Sequence, residues 1–157
     1  IKACEMRDAG LPAKEIAEQI ALLREKVHTT FILNTLDYLS RGGRCSAVTA
    51  FGANLLSIKP SIEMVDGALE VGKKYRGKIE TVYGQYIRDQ LSDPDKLDLS
   101  RAFLSHSGGG ISEETLQAMK KEILRCAPFQ EVQIIRAGCT ISAHCGPKTA
   151  TVMFMEK

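Results

Sequence analysis

The stretch from Ser57 to Tyr75, SIKPSIEMVDGALEVGKKY, constrains the fold more than any other part of this chain. Ile58, Ile62 and Met64 stand among polar positions, the pattern breaks at Asp66-Gly67, and it resumes as ALEVGKKY. Asp-Gly is among the residue pairs that accept positive φ in tight turns, so the segment predicts a β-hairpin. Pro60 lacks an N–H, which places its strand at a sheet edge or at a bulge.

Four further runs read as strands. HTTFIL (His28 to Leu33), RAFLSHS (Arg101 to Ser107), EVQIIRAG (Glu131 to Gly138) and TATVMFM (Thr149 to Met155) are rich in β-branched and aromatic residues. Helical spacing joins Ile16, Ile20, Leu23 and Val27 behind Pro12, and Ile1 to Met6 looks like the tail of an earlier helix. After Asn34 or Thr35, which can cap, Leu36 and Leu39 share one face of a short helix that Gly42-Gly43 stops. A second short helix is expected from Ser46 to about Leu56, and a longer one between Arg76 and Leu91. Ser112 opens another, with Glu113 and Glu114 in its positive first turn and Leu116, Met119 and Ile123 facing inward. The tally is about five strands and about five helices without an even β-α-β rhythm. The expected class is α+β, a mixed sheet of about five strands layered with helices.

A chain of 157 residues makes one compact domain or a large piece of something bigger. Its 21 basic and 19 acidic side chains leave a net charge of +2, and the basic residues are scattered without interleaved aromatics, so nucleic acid is not an expected partner. Cys4, Cys45, Cys126, Cys139 and Cys145 form an odd set with no Cys-x-x-Cys pair, as reduced thiols of a cytoplasmic protein would. No apolar run approaches the roughly 20 residues of a membrane span, and the opening Ile1-Lys2-Ala3 carries no visible targeting leader.

Several motifs could carry chemistry. Gly108-Gly109-Gly110 precedes a helix start but lacks the lysine and spacing of known phosphate loops, and reads first as a turn. Ser105, His106 and Ser107 contain a nucleophile and a base, but strand neighbours point to opposite faces. Cys139, His144 and Cys145 suggest metal ligands without the second pair that structural zinc takes, so neither a metal nor another cofactor is expected. Arg41-Gly42-Gly43-Arg44 frees the backbone to turn sharply and leaves Arg44 at the next helix, where its fork could meet a carboxylate or phosphate. His144, just ahead of Gly146-Pro147 and the last strand, could be base, ligand, donor or core residue.

The order of these blocks is more specific than any one of them. FILNTLDYLSRGGRCS, then LLSIKPSIEMVDGALEVGKKYRGK, then SAHCGPKTATVMF resembles the C-terminal domain of the DegV family of fatty-acid-binding proteins. The carrying residues are Asn34-Thr35-Leu36, Gly42-Gly43-Arg44, Ile58-Lys59-Pro60, Asp66-Gly67, Lys73 or Lys74 with Arg76, and His144-Cys145-Gly146-Pro147. Asn34, Cys45 and Lys148 depart from the pattern, which has Asp, Ile and Gly there. The resemblance implies connecting helices over 1–27, a lipid-binding domain over 28–157, and an N-terminal α/β domain that this chain lacks.

It further implies a bacterial cytoplasmic carrier of phospholipid metabolism, not an enzyme. The carrier buries a long-chain fatty acid and presents the carboxylate to a separate fatty acid kinase for acyl-phosphate formation. By resemblance, His144 is the carboxylate donor, Arg44 and Arg76 face the kinase or an anion, and Leu36, Phe51 and Leu55 line the tail. Two other classes stay open on the residues: a small α/β hydrolase or transferase with His144 or His106 as base, and a lipid-free protein-interaction domain using the Arg41 to Arg76 surface.

Overall fold

The computed structural model describes residues 1–43, 58–65 and 67–157. Two helices, α1 (Lys2–Asp8) and α2 (Ala13–Leu23), lead through a 3-10 turn at Arg24–Lys26 into β1 (Val27–Ile32). Then come α3 (Asp37–Arg41), β2 (Ile58–Val65), β3 (Ala68–Arg76), α4 (Ile79–Gln90), β4 (Leu97–His106), α5 (Glu113–Cys126), β5 (Val132–Arg136), α6 (Cys139–Cys145) and β6 (Ala150–Glu156). The expected helix from Ser46 to about Leu56 lies outside the described residues.

All six strands join one sheet in the order β3-β2-β1-β6-β4-β5. Every pairing is antiparallel except β4 with β5, which the α5 crossover joins in parallel. The α+β mixed sheet is as expected, with six strands instead of about five. The hairpin closes with Val65 opposite Ala68, and Gly67 takes φ +79°. Pro60 does not push β2 to an edge: β2 lies between β3 and β1, and the ladder shifts register between Pro60 and Ile62, the bulge that a missing N–H permits.

Two boundaries differ from the periodicity. Val27, which continues the helical spacing of Leu23, is the first residue of β1 because the 3-10 turn intervenes. Arg76 ends β3 and does not start a helix; Gly77, at φ +121°, breaks the chain before α4 begins at Ile79.

Successive strand residues alternate faces. Ile32, Leu104 and Val152 point to one face and are wholly buried beneath α4 and α5, with Val82, Tyr83, Tyr86, Ile87, Leu116, Met119 and Ile123. Tyr86, also fully buried, donates from its hydroxyl to the Thr30 carbonyl at 2.8 Å, and that hydroxyl lies 2.7 Å from Thr30 Oγ1. Ser112 caps α5 by accepting the Thr115 N–H, and Ile111 packs into the same core as Leu116. The opposite face differs. On the central strands Phe31, Phe103, Thr151 and Met153 are only half-buried, and Val27 is 48% exposed. A small cluster of Leu33, Leu36, Leu39, Ile62 and Cys145 covers one end of it, where α3 meets α6.

Candidate functional site

The covered end is the one to which His144 belongs. Ile32 pairs with Ala150, so the end of β1, the start of β6 and the end of β4 at His106 all lie at one rim of the sheet. His144 occupies the last turn of α6, half-buried, and its neighbour Cys145 is buried with Leu33, Leu36 and Leu39. Two glycines let α3 and α6 approach. A Cβ on Gly42 would collide with His144 Nδ1 and lie 3.2 Å from its Cε1; a Cβ on Gly146 would stand 2.7 Å from Cγ of Tyr38. Gly42 itself has φ −75°, so space is what it supplies, and Gly43, at φ +63°, makes the turn. Among the described residues the imidazole has no hydrogen-bond partner, which leaves its polar edge available.

The turn after His144 is held by the Gly108–Gly110 loop. Ser107 Oγ donates to the Gly146 carbonyl at 2.6 Å and accepts the Thr149 N–H, and the Lys148 N–H reaches the Gly108 carbonyl at 3.1 Å. Gly108, Gly109 and Gly110 all have positive φ, and a Cβ on Gly109 would lie 2.6 Å from Cβ of Pro147. The three glycines are therefore the bed of the closing turn.

Lys148 adopts φ +61°, the left-handed region that an L side chain enters at a cost. Its carbonyl accepts the Tyr83 hydroxyl at 2.7 Å, and its ammonium pairs with Glu80 at 2.9 Å, which holds that carboxyl below its usual range. The lysine charge is thus directed to α4 instead of to His144. Lys59, half-buried, donates to the Asn34 carbonyl at 2.7 Å and ties β2 to the loop that opens α3. Thr35, not Asn34, takes the Asp37 N–H at that opening.

The remaining expected site residues divide. Leu36 is buried in the cluster beside Cys145. Arg76 is exposed at the end of β3, opposite Ile58, and so stands at the same rim as His144. Arg44, Phe51 and Leu55 lie outside the described residues. Sequence reasoning passed over Tyr38 and gave Gly42 only a turn role; the pair of adjacent glycines was the available signal, since one glycine suffices for positive φ.

The other histidine is built differently. His106 Nδ1 accepts the Gly108 N–H at 3.2 Å, and burial, with Arg136 nearby, pulls its pKa below the ordinary histidine value. The Ser107 hydroxyl is spent on the Gly146 carbonyl. Burial pushes the Cys145 thiol up, so it stays protonated near neutrality. Among the described residues no three His, Cys, Asp or Glu side chains converge as metal ligands, and no helix is long and apolar enough to cross a membrane.

The model of a family described as "Uncharacterised protein, DegV family" matches residues 1–157. This chain belongs to the DegV family. A DegV domain-containing protein of Clostridium acetobutylicum is 29% identical over 161 residues, which cover 100% of this chain and 54% of that relative. Among solved structures, a DegV family protein from Thermus thermophilus, described for its fatty acid binding, has 25% identity and a TM-score of 0.79, covering 99% of this chain and 55% of its own. The fatty acid kinase (Fak) B3 protein of Streptococcus pneumoniae, loaded with linoleic acid, shares the fold at a TM-score of 0.82 and 22% identity, covering 99% of this chain and 54% of that one. The chain spans about half the length of the curated relatives it matches.

Proposed function

We propose that the protein is a fatty-acid carrier in which His144 donates a hydrogen bond to the ligand carboxylate while the acyl tail lies along the half-open apolar face of the sheet. The observation that carries this reading is the placement of His144 at the covered end of that face, with its ring set against Gly42 and its polar edge unpartnered among the described residues. A buried carboxylate needs donors, and each methylene removed from water contributes about 0.8 kcal/mol. The Thermus thermophilus relative, described as fatty acid binding, and the linoleic-acid-loaded Streptococcus pneumoniae protein support the ligand class.

The carrier presents its carboxylate to a separate fatty acid kinase and does no chemistry of its own. The name of the Streptococcus pneumoniae protein supports that partner. Arg76, exposed at the rim that holds His144, faces the kinase or the phosphate it delivers; the same role for Arg44 rests on the sequence alone. A further half, of the length that relatives possess beyond the matched region, completes the carboxylate site. The test is organic extraction of the full-length protein and mass spectrometry, with His144→Ala in parallel. About one fatty acid per protein, lost or loosened in the variant, is expected; a protein that neither holds nor takes up fatty acid overturns the reading.

A further inference from the structure

His106 and the glycines behind it have no part in the carrier reading, yet they touch its central turn. His106 ends β4, paired with Ala150 on β6 and with Arg136 on β5. It stands two residues beyond Leu104, so its ring lies on the face that α4 and α5 cover, across the sheet from the proposed ligand. What the ring reaches is Gly108, whose N–H it accepts at Nδ1 over 3.2 Å. The carbonyl of that same glycine accepts the Lys148 N–H at 3.1 Å. Lys148 closes the turn Gly146-Pro147-Lys148, which the chain enters directly after α6 and its His144. Two hydrogen bonds on one glycine therefore join His106 to the turn that carries His144.

One of the two depends on protonation. An Nδ1 that accepts must be bare, so the contact requires a neutral imidazole with its proton on Nε2. The groups around the ring favour that form. Burial and the Arg136 guanidinium hold its pKa below the ordinary histidine value, Glu113 in the first turn of α5 opposes them more weakly, and Ala150 on the other side is uncharged. The same guanidinium lies against Gly108, 3.4 Å from where a Cβ would stand. A base held below its ordinary value keeps such a contact at neutral pH and loses it as the pH falls below about 6.5. The Ser107 bonds to Gly146 and Thr149 involve no titrating group and stay.

We propose that His106 is a positioning residue for His144: in its neutral form it holds Gly108, Gly108 holds Lys148, and the turn so fixed keeps the His144 ring aimed at the ligand carboxylate. The inference rests on the carrier reading. It adds that the grip on the ligand weakens in acid through a side chain that never touches the ligand. A protonated ring sets N–H against N–H at Gly108, with Arg136 beside it, and the loop moves off the turn.

Asparagine supplies the comparison, because its Oδ1 stands one bond beyond Cγ, as Nδ1 does, and accepts at every pH. Oleate binding to the full-length protein is measured for the wild type, His106→Ala and His106→Asn, with melting curves for each. His106→Ala should raise Kd about threefold to tenfold, the worth of one neutral hydrogen bond, and His106→Asn should restore it to within about twofold. Between about pH 7.5 and about pH 5 the wild type should lose about threefold in affinity relative to His106→Asn, since everything else that titrates is common to both. Wild-type affinity in His106→Ala, or a loss that His106→Asn repeats in full, overturns the positioning role while the carrier reading stands. A wild type that follows His106→Asn at every pH does the same. If His106→Ala does not fold, the asparagine comparison across pH decides alone. A wild type that takes up no oleate at neutral pH overturns both readings.

Discussion

Replacing Gly42 by alanine separates room for His144 from stability of the fold. Gly42 sits at φ −75° and ψ −7°, an angle pair that alanine adopts freely, so the backbone term of the change is favourable by about 0.4–1 kcal/mol. The new methyl, however, would overlap Nδ1 of His144 and stand 3.2 Å from Cε1, and restoring van der Waals contact moves the ring by about 1 Å. A donor displaced that far loses most of a hydrogen bond to a charged acceptor, about 1.5–3 kcal/mol, or about tenfold to a hundredfold in Kd. Gly43→Ala is the matched control. Among the described residues its methyl meets nothing within 4 Å, but it forces alanine to φ +63°, at about 1–2 kcal/mol of stability. Calorimetric titration with a fatty acid and thermal melting of both variants read the two effects. Gly42→Ala should bind weakly and melt near the wild type, and Gly43→Ala should bind normally and melt lower. A Gly42→Ala protein that binds as tightly as the wild type refutes the placement of His144 at the carboxylate.

Two further outcomes concern α4, α5 and the sheet face they cover. Glu122 lies between Arg125 and Arg88, which hold its pKa at about 2 against an ordinary 4.5. A depressed carboxylate stabilises the fold above the unfolded value and loses that contribution as pH falls through the folded one, so the stability gap between the wild type and Glu122→Gln should close from about pH 4.5 downward. With both arginines exposed, the gap at neutral pH is at most about 1 kcal/mol by urea unfolding, and a gap independent of pH would contradict it. Tyr86→Phe removes the fully buried hydroxyl that serves the Thr30 carbonyl and hydroxyl; it should cost about 1–3 kcal/mol of unfolding free energy, and a variant as stable as the wild type would show that those groups find other partners.

Much of this architecture was legible because local and tertiary demands agree. The Asp66-Gly67 hairpin, the β4-α5-β5 unit and the capped start of α5 each carry their own turn chemistry and period. The failures fall where two signals overlap. Val27 keeps the helical spacing of Leu23 and the β-branching of a strand, and only the 3-10 turn between them decides. Helix α6 was missed because seven residues are too few for a period to show, and Gly138 at its N-cap makes no side-chain bond. In the candidate site, motif order is what singles out His144 for a proposed role. The need for Gly42 beneath it could not be read that way, since that is a contact between segments about a hundred residues apart. Lys148 in a left-handed turn is contrary to propensity and is explained only by Tyr83, Glu80 and Gly108, which bond all three of its polar groups.

The strand order also governs how the molecule can be made. Strand β6 lies between β1 and β4 and is the sole join between the β1-β2-β3 half of the sheet and the β4-β5 half. Thr29 must wait for Met153 and Phe103 for the same residue, so contacts local in space are remote in synthesis. A ribosome that has delivered everything through α6 has delivered two separate ribbons, each with an open edge toward the missing strand. The apolar face is completed only with the arrival of residues 150–156, which join the two ribbons beside the helix that carries His144.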